Sequence, residues 1–281
     1  MKLLRWGERG AERPGVLDAD GRIRDLSTVV ADINGLTLSR LIDIPDIQGL
    51  PAVPGAPRLG SCVGSVGKII CVGLNYADHA AESGVPVPAE PIIFFKATSA
   101  IAGPNDDIVL PKESHKVDWE VELGVVIGRP VAYADELRAR DAIAGYCVIN
   151  DLSERAWQLE RGGQWVKGKS ADGFAPIGPW LVTADSVRDD SSLHLWLEVD
   201  GHRYQDSSTA QMIFKPAFLV SYLSQFMSLQ PGDIISTGTP PGVGLGQKPQ
   251  VFLRPGQLVR LGIDGLGVQT QRVVAYRLGY P

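Results

Sequence analysis

Cysteine is scarce in this chain, and the three present, Cys62, Cys71 and Cys147, are odd in number and form no CxxC pair. That spacing excludes a disulfide framework and a thiolate metal site. Cys71 and Cys147 sit in apolar runs, where a thiol is expected to be buried and free; a reactive thiolate needs an electropositive, partly exposed site. Histidine is scarce too, and His79, His115, His194 and His202 show no metal-ligand spacing. Basic charge is in deficit, 27 Lys and Arg against 32 Asp and Glu, so the footprint that attracts nucleic acid or an anionic membrane is missing. No apolar run approaches the roughly 18 residues of a membrane span, and the opening Met1-Lys2-Leu3-Leu4-Arg5 is charged too soon for a secretory signal. Internal repeats and low-complexity tracts are also lacking. A soluble, cytoplasmic protein that handles a small molecule is the expectation.

Glycine and proline, by contrast, are plentiful, with 32 and 20 copies among 281 residues, and they cut the sequence into short segments. Near the start, Asp18-Ala19-Asp20-Gly21 separates Val16-Leu17 from Ile23-Arg24, a hairpin pattern followed by a short helix. Between Ile44 and Gly67, Pro45, Pro51, Pro54 and Pro57 give a linker composition in which regular elements cannot persist. These features predict a small N-terminal domain with its linker over residues 1–65 and a larger domain over 66–281. The larger part reads as many short strands, with turn signals such as Asp200-Gly201, and few helices. Its clearest helix runs from Pro216 to Met227, with Phe218, Leu219, Tyr222, Leu223 and Phe226 on one face. A 44% hydrophobic content suffices for a substantial core, and the predicted fold class is β-rich α+β.

Chemistry concentrates in a few segments. In Asp118-Trp119-Glu120-Val121-Glu122-Leu123, strand alternation places three carboxylates on one side and Trp119, Val121, Leu123 and Val125 on the other. Glu120 and Glu122 would stand roughly 7 Å apart by strand rise, within reach of one hard cation such as Mg²⁺, Mn²⁺ or Ca²⁺. The competing reading is an edge strand with a solvated acidic face. Against it, the apolar run Gly124 to Gly128 suggests continuation into a core, where an acidic row needs a counter-charge. A further carboxylate, Asp151, ends the run Tyr146 to Asn150. With Glu154 it has capping-box spacing ahead of an amphipathic stretch, so it reads as a helix cap, a metal ligand or both.

Lys68 to Gly84 reads as a buried strand, a turn and a short helix stopped by Gly84. His79 and Glu82 are i,i+3 neighbours there, a spacing that orients an imidazole for general-base work or forms a plain surface hydrogen bond. Trp165 to Pro179 has the glycines and prolines of a loop. Its Lys167 and Lys169 are either solvated or, beside a metal and an anionic substrate, placed to neutralise a developing enolate. Gly232 to Gly244 is a strand feeding a glycine-rich loop that lacks GxGxxG order and precedes Gln247-Lys248-Pro249-Gln250 rather than a helix. Dinucleotide and P-loop sites are thereby excluded, although its amides and Thr239 could hold a substrate carboxylate. Lys96, Arg155, Arg161, Gln164 and Gln211 are further polar candidates for the remote part of a substrate, each also compatible with a solvated position.

Taken in order, GLNYADHAAE, FFKATSA with GPNDDIVLP, DWEVELGVVIG, GYCVINDLSER, KGKSADGFAPIGP and QPGDIISTGTPPGVG resemble the fumarylacetoacetate hydrolase family, from about Lys68 to the C-terminus. The resemblance implies a twisted β-roll catalytic domain preceded by a small N-terminal domain, usually in a homodimer. It implies a divalent cation, Mg²⁺ first with Mn²⁺ or Ca²⁺ as alternatives, held by Glu120, Glu122 and Asp151. His79 and Glu82 are implied as a water-activating dyad and Lys169 as the electrophilic lysine, while the residue reading adds Gln211 and Thr239 as substrate contacts. Lys2 to Gly7, Arg13 to Asp18 and Gly21 to Ser27 are most similar to the sugar-acid branch, which cleaves 2,4-diketo-3-deoxy-aldonates and has many relatives bearing a ureidoglycolate lyase label. The expected reaction is hydrolysis of a carbon–carbon bond in a β-diketo acid, giving pyruvate and a second carboxylic acid. Decarboxylation, isomerisation, or hydratase or lyase chemistry on a 2-oxo acid at the same site is the alternative, because fold and metal do not choose among them.

Overall fold

Strands form where β-branched and aromatic residues run together. In a computed structural model that describes residues 1–40, 46–78 and 86–277, Val121–Ile127 and Ile143–Asn150 are the central antiparallel pair of a ten-stranded sheet, with Asn150 opposite Val121 and Ile143 opposite Ile127. Every residue of Val121–Ile127 is buried, so both faces of the sheet are covered here. Outward on one side come Ala175–Thr183, Lys2–Trp6, Arg13–Leu17 and Ile23–Asp25; on the other come Ile234–Ser236, Ile69–Gly73 and Ile92–Lys96. Ile101–Ala102 pairs in parallel with Ala175–Thr183.

The N-terminal hairpin extends this same sheet, with Leu3 opposite Leu181 and Lys2 opposite Val182. Its turn falls where the sequence predicts, held by the Asp18 carboxylate, which accepts from the amides of Asp20 and Arg22. Residues 46–67 of the proline-rich connection are stitched to both parts: the amide of Val53 donates to Ile23, that of Gly60 to Arg5 and that of Cys62 to Ile177. Ile44 and Pro45 lie outside the described residues.

A five-stranded sheet, in the order His202–Ser208, His194–Val199, Leu258–Ile263, Gly267–Ala275 and Ile108–Leu110, packs against the first. Leu195, Leu197, Val259, Leu261 and Val273 enter one continuous core with Val121, Leu123 and Val148. Buried amides tie the sheets together. Gln269 Nε2 donates to the Val148 carbonyl at 2.8 Å, and Asn150 Nδ2 donates to Gln271 Oε1 at 2.9 Å, while Asn150 Oδ1 accepts from the Glu120 amide at 3.2 Å.

The helix predicted from Pro216 to Met227 ends at Leu223, and only part of its predicted face turns inward. Leu219 and Leu223 are buried with Ala217 and Val220, whereas Phe218, Tyr222 and Phe226 continue a row of ring contacts that starts at the partly buried Phe214, stacked as far as Tyr222 and edge-on at Phe226. Ring-to-ring contact, rather than core burial, explains the aromatic spacing. All three cysteines are buried and free, as expected. Among the described residues no helix is long and apolar enough to cross a membrane.

Removing the polar tie between the sheets tests its contribution. Asn150→Ala strands the buried Gln271 oxygen and the Glu120 amide, and is expected to cost about 2–3 kcal/mol, since each buried group left unsatisfied costs about 1–3 kcal/mol. A urea midpoint equal to that of the unmodified protein would contradict this.

Candidate metal centre

The acidic stretch is not one continuous strand. Val117–Asp118 pairs with Ser153–Glu154, the ladder breaks at Trp119-Glu120, and the central strand starts at Val121. The break sends Asp118 away from Glu120 and Glu122, which unbroken alternation would not do. Asp118 accepts from the amides of Gly244 at 2.6 Å, Trp119 at 2.8 Å and Leu245 at 2.9 Å, and from Arg155 Nε at 2.8 Å. Four donors use the lone pairs of both oxygens, so Asp118 anchors structure and is not a ligand.

Glu120, Glu122 and Asp151 converge instead, with one carboxylate oxygen from each lying within 4.8 Å of the others. The solvated-face alternative fails, because their exposures are 6%, 2% and 0%. Asp151 does not cap the following helix, Arg155–Leu159; Glu154 does, accepting from the Trp157 amide at 2.6 Å. The Asp151 oxygens go to Lys96 Nζ at 2.5 Å and Lys169 Nζ at 2.8 Å. Lys169 also reaches Glu120 at 2.8 Å, and Arg155 Nη2 reaches it at 2.7 Å. Glu122 differs from the other two: no Lys or Arg pairs with it among the described residues, and its Oε2 accepts from Ser236 Oγ at 2.6 Å and the Gly238 amide at 2.8 Å.

Electrostatics follow this unequal sharing. Burial opposes the charge on Glu120, but Lys169 and Arg155 outweigh it and hold the carboxyl at about 2. Burial, and then the charges of Asp151 and Glu120, push the Glu122 carboxyl well above the usual carboxylate range. For Lys169, burial favours the neutral amine, yet Asp151 and Glu120 prevail and keep it an ammonium. Three converging hard oxygen donors, one of them without a cationic partner, fit a divalent cation such as Mg²⁺ or Mn²⁺.

Close backbone approaches set the geometry. Lys169, expected in a loop, ends the short helix Val166–Lys169. Gly168 packs so near Glu154 that a Cβ would lie 2.4 Å from its carbonyl oxygen, and this contact seats the lysine, whose ammonium also stands 5.0 Å from the Phe94 ring centre. Gly238 adopts φ +99°, which aims its amide at Glu122; a Cβ there would stand 2.8 Å from that of Asn75.

A cavity of about 500 Å³ opens over Glu120, Glu122 and Lys169. Lys96 and Arg155, candidates from sequence for the remote part of a substrate, are buried partners of the carboxylates. Thr239 lines the cavity, and its hydroxyl donates to the Val121 carbonyl and accepts from Gln205. Gln211 closes the 3-10 turn Thr209–Gln211 at the surface, and Arg161 and Gln164 are also exposed; none of the three lines the cavity. His79 and Glu82 lie outside the described residues. Gln205, which the sequence reading passed over, is buried and serves the Val121 amide, Thr239 and the Pro240 carbonyl. Its flanking residues, Tyr204 and Asp206, give no sequence signal of that role.

Two substitutions probe the arrangement. Lys96→Met leaves Asp151 short of a counter-charge and is expected to cost about 3 kcal/mol, part of it recovered in excess Mg²⁺; urea unfolding with and without Mg²⁺ measures both, and an unchanged midpoint would contradict the role. Gly238→Ala turns the amide away from Glu122 and is expected to weaken Mn²⁺ binding by about tenfold or more, the usual effect of losing a group that orients a ligand. Calorimetry showing equal affinity would contradict it.

Known proteins share the sequence and the fold of this chain. The family profile described as Fumarylacetoacetate (FAA) hydrolase C-terminal matches residues 68–274. A protein from Burkholderia multivorans, whose name gives a hydrolase class and no substrate, is 63% identical over 283 residues, covering 99% of this chain and 100% of that one. The solved structure of 5-carboxymethyl-2-hydroxymuconate delta-isomerase from Mycobacterium smegmatis has 35% identity and a TM-score of 0.79, covering 99% of this chain and 100% of that one. Maleylpyruvate hydrolase from Sphingobium sp. SYK-6, solved with manganese(II) and pyruvate, has 28% identity and a TM-score of 0.82, again covering 99% and 100%. With the profile spanning most of its length and the fold shared end to end, this chain belongs to the fumarylacetoacetate hydrolase family.

Proposed function

We propose that this chain is a divalent-metal-dependent enzyme acting on a 2-oxo acid, and that its reaction is hydrolysis of a carbon–carbon bond in a β-diketo acid to give pyruvate and a second carboxylic acid. The observation that carries this reading is the buried carboxylate trio, two members of which, Glu120 and Glu122, line a cavity, with the Lys169 ammonium touching Glu120 and Asp151. A cation held by Glu120, Glu122 and Asp151, Mg²⁺ by first choice, would supply Lewis-acid polarisation to a chelating 2-oxo carboxylate. Lys169 brings a fixed positive charge to the cavity floor, where it stabilises the enolate oxygen that develops as the bond breaks. Arg155 and Lys96 hold Glu120 and Asp151 in place, so neither carboxylate has to reorganise during the reaction.

His79 and Glu82 take the water-activating role in this reading, on the strength of their i,i+3 spacing. The imidazole removes a proton from water, and the carboxylate orients the ring and stabilises its charged form. This step separates hydrolysis from the second reading, isomerisation, which the likeness to a solved isomerase supports. An isomerase moves a proton between carbons and needs no attacking water.

With Mg²⁺ present, acylpyruvates and diketo acids are expected to release pyruvate, detectable by a coupled dehydrogenase assay. Consumption of substrate without pyruvate would favour isomerisation. Lys169→Met is expected to lower kcat by about 10² or more with little change in KM, the pattern of a transition-state contact. His79→Ala is expected to lower turnover by about 10²–10⁴ with Mn²⁺ affinity unchanged; full pyruvate release by this variant would remove the dyad from the mechanism.

A further inference from the structure

Asp118 stands outside the trio of converging oxygens, yet its carboxylate is fully buried and accepts four hydrogen bonds. Three come from backbone amides, which carry no net charge. The fourth comes from Arg155, the one cation that pairs with Asp118 among the described residues. A short ladder brings the two side chains together: Asp118 lies opposite Ser153, and the Arg155 amide donates to the Lys116 carbonyl at 2.9 Å.

Arg155 is in turn committed on three sides. Its Nε donates to Asp118 at 2.8 Å, its Nη2 meets Glu120 Oε1 at 2.7 Å, and its Nη1 donates to Gln158 Oε1 at 3.0 Å. A guanidinium is planar and rigid, so the bond at Nε fixes the plane in which Nη2 is offered to Glu120. Oε1 of Glu120 is held by that fork, while Oε2 meets Lys169 at 2.8 Å. Asp118 also draws part of the guanidinium charge to itself. Were Asp118 uncharged, that charge would bear on Glu120 alone and compete with a cation for its oxygens. The same carboxylate fixes the cavity wall, because the amides it holds belong to Gly244 and to the lining residue Leu245.

We infer that Asp118 is a positioning residue for the cation: through Arg155 it sets the orientation and the free charge of Glu120, so that cation affinity depends on a carboxylate that does not touch the ion. The inference rests on the metal reading of Glu120, Glu122 and Asp151 above and adds to it a residue outside the trio. The sequence shows Asp118 only as a neighbour of the ligands; the relay through Arg155 gives it a separate task.

The test is a double-mutant cycle read by Mn²⁺ calorimetry, with urea midpoints to record folding. Asp118→Asn keeps the size of the side chain and removes its charge, and is expected to weaken Mn²⁺ binding about tenfold, the lower end for losing a group that orients a metal ligand. In the Arg155→Met background the same substitution should change affinity by less than about twofold, because the path to Glu120 is already cut. Unchanged affinity in Asp118→Asn would overturn the inference. So would an equal loss with and without Arg155, since a merely structural role gives additive losses. Where a variant does not fold or binds too weakly to measure, the unmodified protein decides: with isotope-labelled arginine, the Arg155 Nε–H resonance should shift as Mg²⁺ saturates the site, and a resonance that stays in place while the ion binds would overturn the inference. If the unmodified protein takes up neither ion, the metal reading itself fails and takes this inference with it.

Discussion

Four carboxylates are buried within one small region, and their mutual repulsion is the constraint around which the rest of the site is arranged. Asp118, Glu120, Glu122 and Asp151 are all nearly or fully inaccessible, and an isolated buried carboxylate is costly enough to surrender its charge. Lys96, Lys169 and Arg155 are buried among them in answer. Each cation arrives from a different part of the chain: Lys96 ends the outermost strand of the large sheet, Lys169 ends a short helix, and Arg155 begins the helix capped by Glu154. Charge balance thus draws three separate elements onto the edge of the central strand pair. Among the described residues it leaves Glu122 without a Lys or Arg partner, its Oε2 accepting from Ser236 Oγ and the Gly238 amide.

That asymmetry connects structure to chemistry. Full neutralisation by side chains would make a stable but closed cluster; here one carboxylate is left facing a cavity with no cation of its own. A divalent ion bound there would supply the missing charge and, together with Lys96, Lys169 and Arg155, would leave the floor net positive toward an anionic substrate. Asp118 extends the same network into the cavity wall by holding both Arg155 and the loop that carries Lys248. Floor and wall are therefore one hydrogen-bonded unit, the kind of support that keeps a site within fractions of an ångström of its working geometry.

Much of this was legible in the sequence, for identifiable reasons. Glu120, Glu122 and Asp151 stood out because acidic residues inside apolar runs conflict with their surroundings, and such conflicts mark functional sites. The β-rich fold and the hairpin at Asp18 to Gly21 followed from turn chemistry. What stayed hidden depends on long-range partners. Lys96 closes the run Ile92-Ile93-Phe94-Phe95, and its burial is decided by Asp151, 55 residues further on. Asp118 looked like a third member of an acidic row until the break at Trp119-Glu120 separated it. Capping-box spacing pointed to Asp151, but the helix starts late enough for Glu154 to cap it. The aromatic stripe of the Pro216 helix has core periodicity yet packs ring on ring outside, a distinction periodicity cannot make. The proline-rich connection predicted a linker, and nothing in its composition announced that the N-terminal hairpin would pair with Ala175–Thr183 in the main sheet.

The proposed chemistry depends on Glu120, Glu122 and Asp151 holding one divalent cation together. Crystals grown with Mn²⁺ and measured at wavelengths on both sides of the manganese edge test it without reference to any substrate. The expected result is a single strong anomalous peak within about 2.0–2.3 Å of one oxygen from each of the three carboxylates, typical of hard divalent ions on oxygen ligands. The absence of a peak there, with Lys169 still bridging Glu120 and Asp151 and Mn²⁺ bound elsewhere or not at all, would contradict it.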